Sequence, residues 1–428
     1  MNDQQAAAIQ EAVDRNFDTQ VAFTTELVRF ASLRGQEHTA QDFMAKAFAE
    51  RQLAVDRWRI NIDDIKHLRG FSPVTISYDN AINVVGAHRP DSSIGRSLIL
   101  NGHIDVVPEG PPEMWRSPPY DARREGDWLY GRGSGDMKAG LVANLFAYDA
   151  VRAAGFEPSA DVYLQSVIEE ECTGNGALAC LQRGYRADAA IIPEPSAEAV
   201  GMAQTGTIWM RIIIRGWPAH AAYAQRGQNA IKAAVRLIEA LEQLEAQWNS
   251  QKHQHPHFAD HAHPINFNIG GIRGGEWPAS VPAVCSFDLR AAIYDDDNIH
   301  ARAAQIEACI CEAAAADSFM QNNPPQIEYN GFMAEGYALT DADEQLGVLR
   351  ECHQQIHGEP LTGRYGTGTT DARFFGLFAD TPAMVYGPRA ENVHGFDERV
   401  NLESTRLVTQ TIALFIARWC GLTEAPQR

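Results

Sequence analysis

Five residues of the types that bind divalent metal ions each follow an apolar run or a glycine-rich turn: His103, Asp136, Glu171, Glu194 and His394. Imidazole nitrogens and carboxylate oxygens without cysteine suit Zn²⁺, with Co²⁺ or Mn²⁺ as alternatives. Two such ions that lie close together and share a water activate that water for hydrolysis. The residue types therefore predict a centre for two divalent metal ions, most readily Zn²⁺, in a hydrolytic enzyme.

The segment SLILNGHIDVVPEG contains an apolar strand that ends just before His103, and Asp105 lies two residues further along. Residues i and i+2 share a face of extended backbone, so Asp105 is expected to support the His103 imidazole. The segment YGRGSGDMKAG brings Asp136 from a glycine-rich loop to a helix start. A phosphate-binding loop would need glycine at this position. A carboxylate that bridges two cations is therefore the preferred interpretation.

Three adjacent glutamates end the apolar run of SVIEEECTGNGA. Burying an unpaired carboxylate is costly unless a cation or a proton neutralises it. One glutamate is expected to bind metal, and a neighbour to act as the general base that takes a proton from water. A solvated acidic turn remains the alternative interpretation of this segment. Further along, Pro193-Glu194-Pro195 presents one carboxylate rigidly, and VYGPRAENVHGFDERV leads from a strand to His394.

The elements that must position these residues are typical of an α/β fold. Helical spacing predicts helices in the first 70 residues and at 138–154. Apolar runs predict strands at residues 81–85, 98–100, 162–168, 189–192 and 383–386. Alternating strands and helices favour a mostly parallel sheet with helices on both faces. Ligands gather beyond the carboxyl ends of strands in such sheets, so the candidate residues are expected to form one site.

A different pattern occupies residues 207–330. Its order of runs is β-α-β-β-α-β, the ferredoxin-like layout. The candidate ligands resume only after it, at His394, so this segment is expected to be an α+β domain inserted into the catalytic one. The predicted catalytic domain comprises residues 1–206 and 331–428, and the inserted lid or dimerisation domain comprises residues 207–330.

The chain is acidic, with 36 Lys and Arg against 55 Asp and Glu and a formal net charge of −19. Such a charge repels nucleic acids and anionic membrane surfaces, so neither is an expected partner. The sequence lacks a signal-like start and any apolar stretch long enough to span a membrane. A cytoplasmic protein is the resulting expectation.

As a set, six segments resemble one family: GHIDVVP, GRGSGDMKAG, EEECTGNGA, PEPS, GWPAHAAY and GPRAENVHGFDERV. The resemblance covers about residues 80–405 in order, and the family is the dizinc amidohydrolases and peptidases that includes acetylornithine deacetylase, succinyl-diaminopimelate desuccinylase, aminoacylase and glutamate carboxypeptidase. It implies that His103 and Glu194 hold one ion and that Glu171 and His394 hold the other. Asp136 would bridge the ions and precede a cis peptide bond.

The resemblance also assigns the remaining roles. The family usually has Asp-Glu-Glu where this chain has three glutamates, and alignment on the following glycines makes Glu170 the general base. It further implies a homodimer formed through the inserted domain, in which His220 reaches the partner's active site and polarises the scissile carbonyl. Arg290 would grip a substrate carboxylate, with a surface arginine as the alternative. Gly368 and Thr369 would contact the substrate.

The predicted function is therefore hydrolysis of a small-molecule amide. The preferred substrate is a small N-acylated amino acid or amine, as for an acetylornithine deacetylase-like deacylase. Three alternatives stay open: deformylation of an N-formylated aminopyrimidine or cleavage of another specialised amide, cleavage of dipeptides or carboxy-terminal residues, and a catalytically silent member that only binds a ligand.

Overall fold

A computed structural model describes residues 1–425. The helices are α1 (Asp3–Val28), α2 (His38–Glu50), α3 (Ile62–Ile65), α4 (Ala139–Ala153), α5 (Asn175–Gln182), α6 (Ala230–Ser250), α7 (Ile299–Ala316), α8 (Asp343–His357), α9 (Ala372–Phe378) and α10 (Leu402–Cys420). The strands are β1 (Ala54–Arg59), β2 (Ile82–His88), β3 (Leu98–His103), β4 (Arg123–Glu125), β5 (Trp128–Tyr130), β6 (Phe156–Pro158), β7 (Val162–Val167), β8 (Ala189–Ile192), β9 (Val200–Gln204), β10 (Gly206–Arg215), β11 (Phe267–Gly274), β12 (Val284–Ile293), β13 (Gln326–Ala334), β14 (Tyr337–Ala338), β15 (Gly363–Gly366), β16 (Ala383–Val385), β17 (Ala390–Glu391), β18 (Arg399–Asn401) and β19 (Leu422–Glu424).

The larger sheet has the order β1-β2-β7-β3-β8-β16-β9-β14, and β15 also pairs with β9. Its central strands β7, β3, β8 and β16 pair in parallel, as their apolar runs predict. Towards the margins, β1, β2 and β14 pair antiparallel with their neighbours, which makes the sheet mixed. Helix α4 packs on β3 and β7, and α9 packs on β8 and β16. The predicted α/β architecture is confirmed.

One element of the larger sheet differs from the prediction. β1 lies within the first 70 residues, for which the sequence predicts helices. It is an edge strand whose side chains alternate between exposed and half-buried positions. Because neither of its faces is fully buried, it lacks the continuous apolar run that identifies the central strands.

Residues 206–334 form a separate four-stranded antiparallel sheet with the order β11-β12-β10-β13. Helices α6 and α7 contact each other and pack against this sheet. The two helices and the strands form an apolar core that is separate from the core around the larger sheet. The order of elements along the chain is β-α-β-β-α-β, as the sequence predicts. The catalytic-domain bounds and the lid or dimerisation role remain predictions.

Local sequence signals explain where the long helices begin. The Asn2 side chain accepts the Gln5 backbone N–H while the Gln5 side chain accepts the Asn2 backbone N–H, which is a capping box at the start of α1. Asn401 caps α10 by accepting the Ser404 backbone N–H at 2.9 Å. Both helices pack on α4, which is buried over most of its length. Among residues 1–425, no helix combines the length and apolar character needed to cross a membrane.

Candidate metal centre

His103 ends β3 and is fully buried, with its two ring nitrogens facing different groups. Its Nδ1 lies 3.0 Å from the backbone oxygen of Asp105. Its Nε2 lies 3.0 Å from Asp136 Oδ1, 3.6 Å from Glu194 Oε1 and 3.9 Å from Glu170 Oε2. One imidazole nitrogen is thus anchored by backbone, and the other faces three carboxylates.

Asp105 contacts both His103 and the glutamate turn. Its carboxylate lies 3.6 Å from His103 Nδ1, and its backbone oxygen lies 3.0 Å from the same nitrogen. The carboxylate oxygens also accept the backbone N–H groups of Glu170 at 3.2 Å and Glu171 at 3.1 Å. Asp105 therefore ties the end of β3 to the turn that carries the glutamates.

Asp136 lies between the two histidines. Its Oδ1 is 3.0 Å from His103 Nε2, and its Oδ2 is 3.4 Å from His394 Nε2. The peptide bond between Asp136 and Met137 is cis, as predicted from the resemblance. One carboxylate thus presents a separate oxygen to each imidazole, which is the arrangement that a bridging ligand requires.

The loop before Asp136 is organised by Glu398, a residue that sequence reasoning missed. The Glu398 carboxylate accepts the backbone N–H groups of Gly133, Gly135 and Asp136 at 3.1, 2.9 and 3.0 Å. It also accepts Arg132 Nη1 at 2.5 Å. Glu398 lies four residues after His394 in the sequence, so its proximity to a ligand segment was the available signal.

Lys138 joins the same loop to the amino-terminal helix. Its buried ammonium donates to the backbone oxygens of Leu27 at 3.1 Å and Phe30 at 2.7 Å. Burial lowers the pKa of Lys138 to about 7. The residues that follow Asp136 are therefore fixed to the carboxyl end of α1.

The glutamate turn separates one structural carboxylate from two that face the centre. Glu169 has φ +60°, a left-handed conformation that is uncommon outside glycine. Its carboxylate accepts Arg34 Nε at 2.7 Å, Thr173 Oγ1 at 2.6 Å and the Tyr78 hydroxyl. With Glu169 held in this way, the next two residues, Glu170 and Glu171, line the cavities described below.

His394 completes the centre from the opposite side. Its Nε2 lies 3.0 Å from Glu171 Oε1, and its side chain is 51% exposed. The backbone of His394 also adopts a left-handed conformation, with φ +62°. Strained backbone of this kind is concentrated at functional sites.

Glu194 lies two residues after the end of β8, and the backbone of the intervening Pro193 is tightly packed. A Cβ at Gly140, near the start of α4, would lie 2.0 Å from the Pro193 oxygen, so only glycine permits this approach. Glu194 Oε1 is buried and has no hydrogen-bond partner. A buried carboxylate oxygen without a partner is a position where a cation is favourable.

The electrostatics of the cluster fit bound cations. Burial raises the pKa of Glu194 to about 8 and also raises the pKa values of Glu170 and Glu171. Glu171 raises the pKa of His394 to about 11. Ligand atoms of His103, Glu170 and Glu194 lie within 4.8 Å of one another, as do those of His103, Asp136 and Glu171. These mixed nitrogen and oxygen donors suit divalent metal ions.

Two cavities, of about 390 and 790 Å³, meet at the centre. Both are lined by the following five residues: Glu170, Glu171, Gly368, Thr369 and His394. Arg290 lines the larger cavity and donates from Nη2 to the Thr367 oxygen at 3.3 Å. Desolvation lowers the pKa of the Arg290 guanidinium. The predicted substrate contacts thus lie beside the predicted ligands.

His220 is the predicted site residue that the single chain does not bring to the centre. It is exposed in the connection between β10 and α6, within residues 206–334. Its Nδ1 accepts the Ala222 backbone N–H at 3.0 Å. It lines neither of the two cavities.

Asp371, which the sequence analysis also missed, is a further buried carboxylate near this cluster. Burial raises its pKa to about 7, and its Oδ2 has no hydrogen-bond partner. Its charge contributes to the raised pKa of Glu170. A single aspartate in GTGTTDARFF carries no ligand spacing that would identify it in advance.

The chain belongs to peptidase family M20/M25/M40, whose model matches residues 99–418. The dizinc amidohydrolase and peptidase resemblance is thereby confirmed. With its histidines and carboxylates clustered beyond the strand ends of a mixed sheet, this protein is a metal-dependent amidohydrolase.

Two similar sequences are both named N-formyl-4-amino-5-aminomethyl-2-methylpyrimidine deformylase. The one from Halalkalibacterium halodurans is 30% identical, covering 81% of this chain and 85% of its own length. The one from Bacillus subtilis is 28% identical, covering 98% and 99%. Human carnosine dipeptidase 1 shares the fold, with a TM-score of 0.75 at 15% identity over 97% of this chain and 99% of its own.

Proposed function

We propose that this amidohydrolase removes a formyl group from an N-formylated aminomethylpyrimidine. The observation that carries the proposal is the name shared by the two similar sequences, one of them aligned over nearly the whole chain. This substrate was an alternative in the sequence analysis, and the similarities favour it over the acetylornithine deacetylase-like reading. The likeness to a dipeptidase at 15% identity concerns the fold alone and supports no substrate.

The proposal includes two divalent ions, with Zn²⁺ as the first choice. His103 and Glu194 would hold one, Glu171 and His394 the other, and Asp136 would contact both. The two Asp136 oxygens at 3.0 and 3.4 Å from the two imidazoles support the role of Asp136. The pairing is supported by Glu194 at 3.6 Å from His103 and by Glu171 at 3.0 Å from His394. When bound, the two metal ions supply Lewis acidity that activates water and polarises the amide carbonyl.

Glu170 is proposed as the general base. It would take a proton from the attacking water and return that proton to the nitrogen of the leaving amine. Glu170 lines both cavities and is held through its backbone N–H by Asp105. Glu171 lies nearer to His394, which supports the assignment of Glu171 as the ligand.

A homodimer that supplies His220 to the partner's site is also part of the proposal. His220 is exposed in a region that also exposes large apolar side chains, including Trp217 at 64%, Tyr223 at 53% and Trp277 at 68%. Exposed apolar surface of this kind marks association sites. A second subunit covering it would bury these rings and bring His220 towards a carbonyl oxygen. We further propose a cytoplasmic location, because all seven cysteines are free.

A second candidate is deacylation of an N-acyl amino acid. It is favoured by Arg290, whose guanidinium lines the larger cavity without a carboxylate partner among the described residues. Arginine in such a setting suits a substrate carboxylate. Gly368 and Thr369 would contact the substrate in either case.

The test is a substrate panel for zinc-loaded protein, with N-formyl aminopyrimidine, N-formyl, N-acetyl and N-succinyl amino acids and dipeptides. We expect the aminopyrimidine formamide to have the highest kcat/KM. A higher value for an N-acyl amino acid would replace the first candidate with the second. Glu170→Gln serves as the control, and full activity in that variant would exclude the proposed base.

A further inference from the structure

The larger cavity has an aromatic wall built at an irregularity of the smaller sheet. The pairing of β10 with β13 shifts register at Trp209, opposite Asn330, Gly331 and Phe332. A Cβ at Gly331 would lie 2.5 Å from Trp209 Cε3, so glycine at this position lets the indole lie against the backbone. Trp209 and Phe332 meet edge to face, with ring centroids 5.4 Å apart.

This wall adjoins the proposed catalytic residues. Trp209 is paired in register with Arg290 across β10 and β12. The same Cβ at Gly331 would lie 3.0 Å from the backbone oxygen of Cys172, the residue after Glu171. Trp209, Asn330 and Phe332 line the cavity that also contains Glu170 and Glu171.

The wall carries one free donor and one free acceptor. Trp209 Nε1 and Asn330 Oδ1 are both buried without a hydrogen-bond partner. The orientation of the Asn330 amide is fixed, because its Nδ2 donates to Asp288 Oδ1 at 3.0 Å and a carboxylate only accepts. Asp288 is held in turn by Arg211, which donates to both of its oxygens at 2.7 and 3.1 Å.

We infer that Trp209, Asn330 and Phe332 recognise a planar aminopyrimidine ring, an inference that rests on the proposed function. In 4-aminopyrimidines a ring nitrogen that accepts hydrogen bonds lies beside an exocyclic amine that donates them. The Trp209 indole N–H matches the ring nitrogen, and Asn330 Oδ1 matches the amine. The two aromatic side chains provide apolar surface for the ring itself.

The hydrogen bond between Asn330 Oδ1 and the exocyclic 4-amino group makes substrate selection depend on that amino group. A substrate without it leaves the Asn330 oxygen buried and unpaired, and sites built to hydrogen-bond a substrate group reject analogues that lack that group. The Arg290 guanidinium next to the wall does not distinguish one neutral ring from another. We therefore assign the selection of the aminopyrimidine ring to Trp209 and Asn330.

The experiment compares N-formyl-4-amino-5-aminomethyl-2-methylpyrimidine with the analogue that lacks the 4-amino group. Wild-type protein should prefer the first by about tenfold or more in kcat/KM. Asn330→Ala should remove this preference by slowing only the amino substrate. Trp209→Phe should slow both substrates, since both retain the ring nitrogen. The matched control changes Asn323→Ala and Trp58→Phe lie away from both cavities. They should leave kcat/KM for both substrates unchanged.

Calorimetric binding of the two deformylated amines to the zinc-loaded protein separates failure of this inference from failure of the proposed function. Hydrolysis of other amides without any preference for the 4-amino group would overturn the inference alone. Asn330-dependent binding of the 4-amino compound without hydrolysis of its formamide would overturn the proposed function alone. Equal losses on both substrates in Asn330→Ala would show a structural role and reject the inference.

Discussion

The Glu398 carboxylate accepts the backbone N–H of Asp136 at 3.0 Å, so it orients the residue that lies between the two imidazoles. Glu398→Gln puts an amide that both donates and accepts where three N–H groups need an acceptor. We expect the free energy of unfolding to fall by about 2 kcal/mol and metal content to decrease. Thermal unfolding and elemental analysis measure both, and Glu403→Gln on the surface of α10 is the matched control. Wild-type metal content and stability in Glu398→Gln would contradict this role.

The adjacent residues Glu170 and Glu171 should respond differently to the same isosteric change. Glu170→Gln is expected to retain metal and to lose about 10²- to 10⁴-fold in kcat, the usual contribution of a general base. Glu171→Gln should lose about one ion per chain, because a metal ligand has been removed. Metal analysis alongside kinetics distinguishes the two, and the reverse pattern would exchange the roles.

Removal of metal should make stability fall as pH rises. The folded-state pKa of Glu194 is raised from 4.5 to about 8 and that of His394 from 6.5 to about 11, so the folded metal-free protein binds more protons than the unfolded chain in both windows. Where the unfolded state binds fewer protons, stability declines with increasing pH. The midpoint of thermal unfolding of chelator-treated protein should therefore decrease between pH 6.5 and about 8. A zinc-loaded sample is the control, and a rising midpoint in the metal-free sample would refute the prediction.

A mixing experiment tests whether His220 acts in the partner subunit. His220→Ala and Glu170→Gln should each be nearly inactive alone. After subunit exchange at equal concentrations, half of the dimers are hybrids in which one site combines an intact Glu170 with His220 of the other chain, so about a quarter of the activity should return. Mixing Glu170→Gln with Glu171→Gln is the control and should restore nothing. No recovery with the first pair would place His220 outside the partner's site.

Much of the fold could be predicted because buried parallel strands leave continuous apolar runs in the sequence. Residues 189–192 are an example, since the predicted strand and β8 have the same bounds. β1 could not be predicted in this way, because an edge strand with charged side chains resembles neither a buried strand nor a helix. Pairings between strands far apart in the sequence, such as β8 with β16, could not be predicted, because periodicity carries no information about a strand's partner.

The candidate ligands could be located from sequence because each follows a strand end or a glycine turn. The roles of the supporting residues could not. Glu398 lies close to His394 in the sequence and Glu169 directly precedes Glu170, but both act by accepting hydrogen bonds from backbone or distant side chains, and such contacts leave no spacing pattern. Asp105 shows the same limit, since its place beside the His103 imidazole was predicted, while the hydrogen bonds from its carboxylate to the glutamate turn were not.

The ammonium of Lys138 ends on carbonyl oxygens of Leu27 and Phe30, at the carboxyl end of α1. The first thirty residues lie outside the segment matched by the family model. They nevertheless contain the two carbonyl oxygens that hold Lys138, next to the loop that bears Asp136. A chain shortened to the matched segment would therefore lose the acceptors of a buried cation two residues from Asp136. For protein engineering, α1 must be retained together with the catalytic residues when this centre is transferred to another protein, when the chain is shortened or when it is fused to another protein.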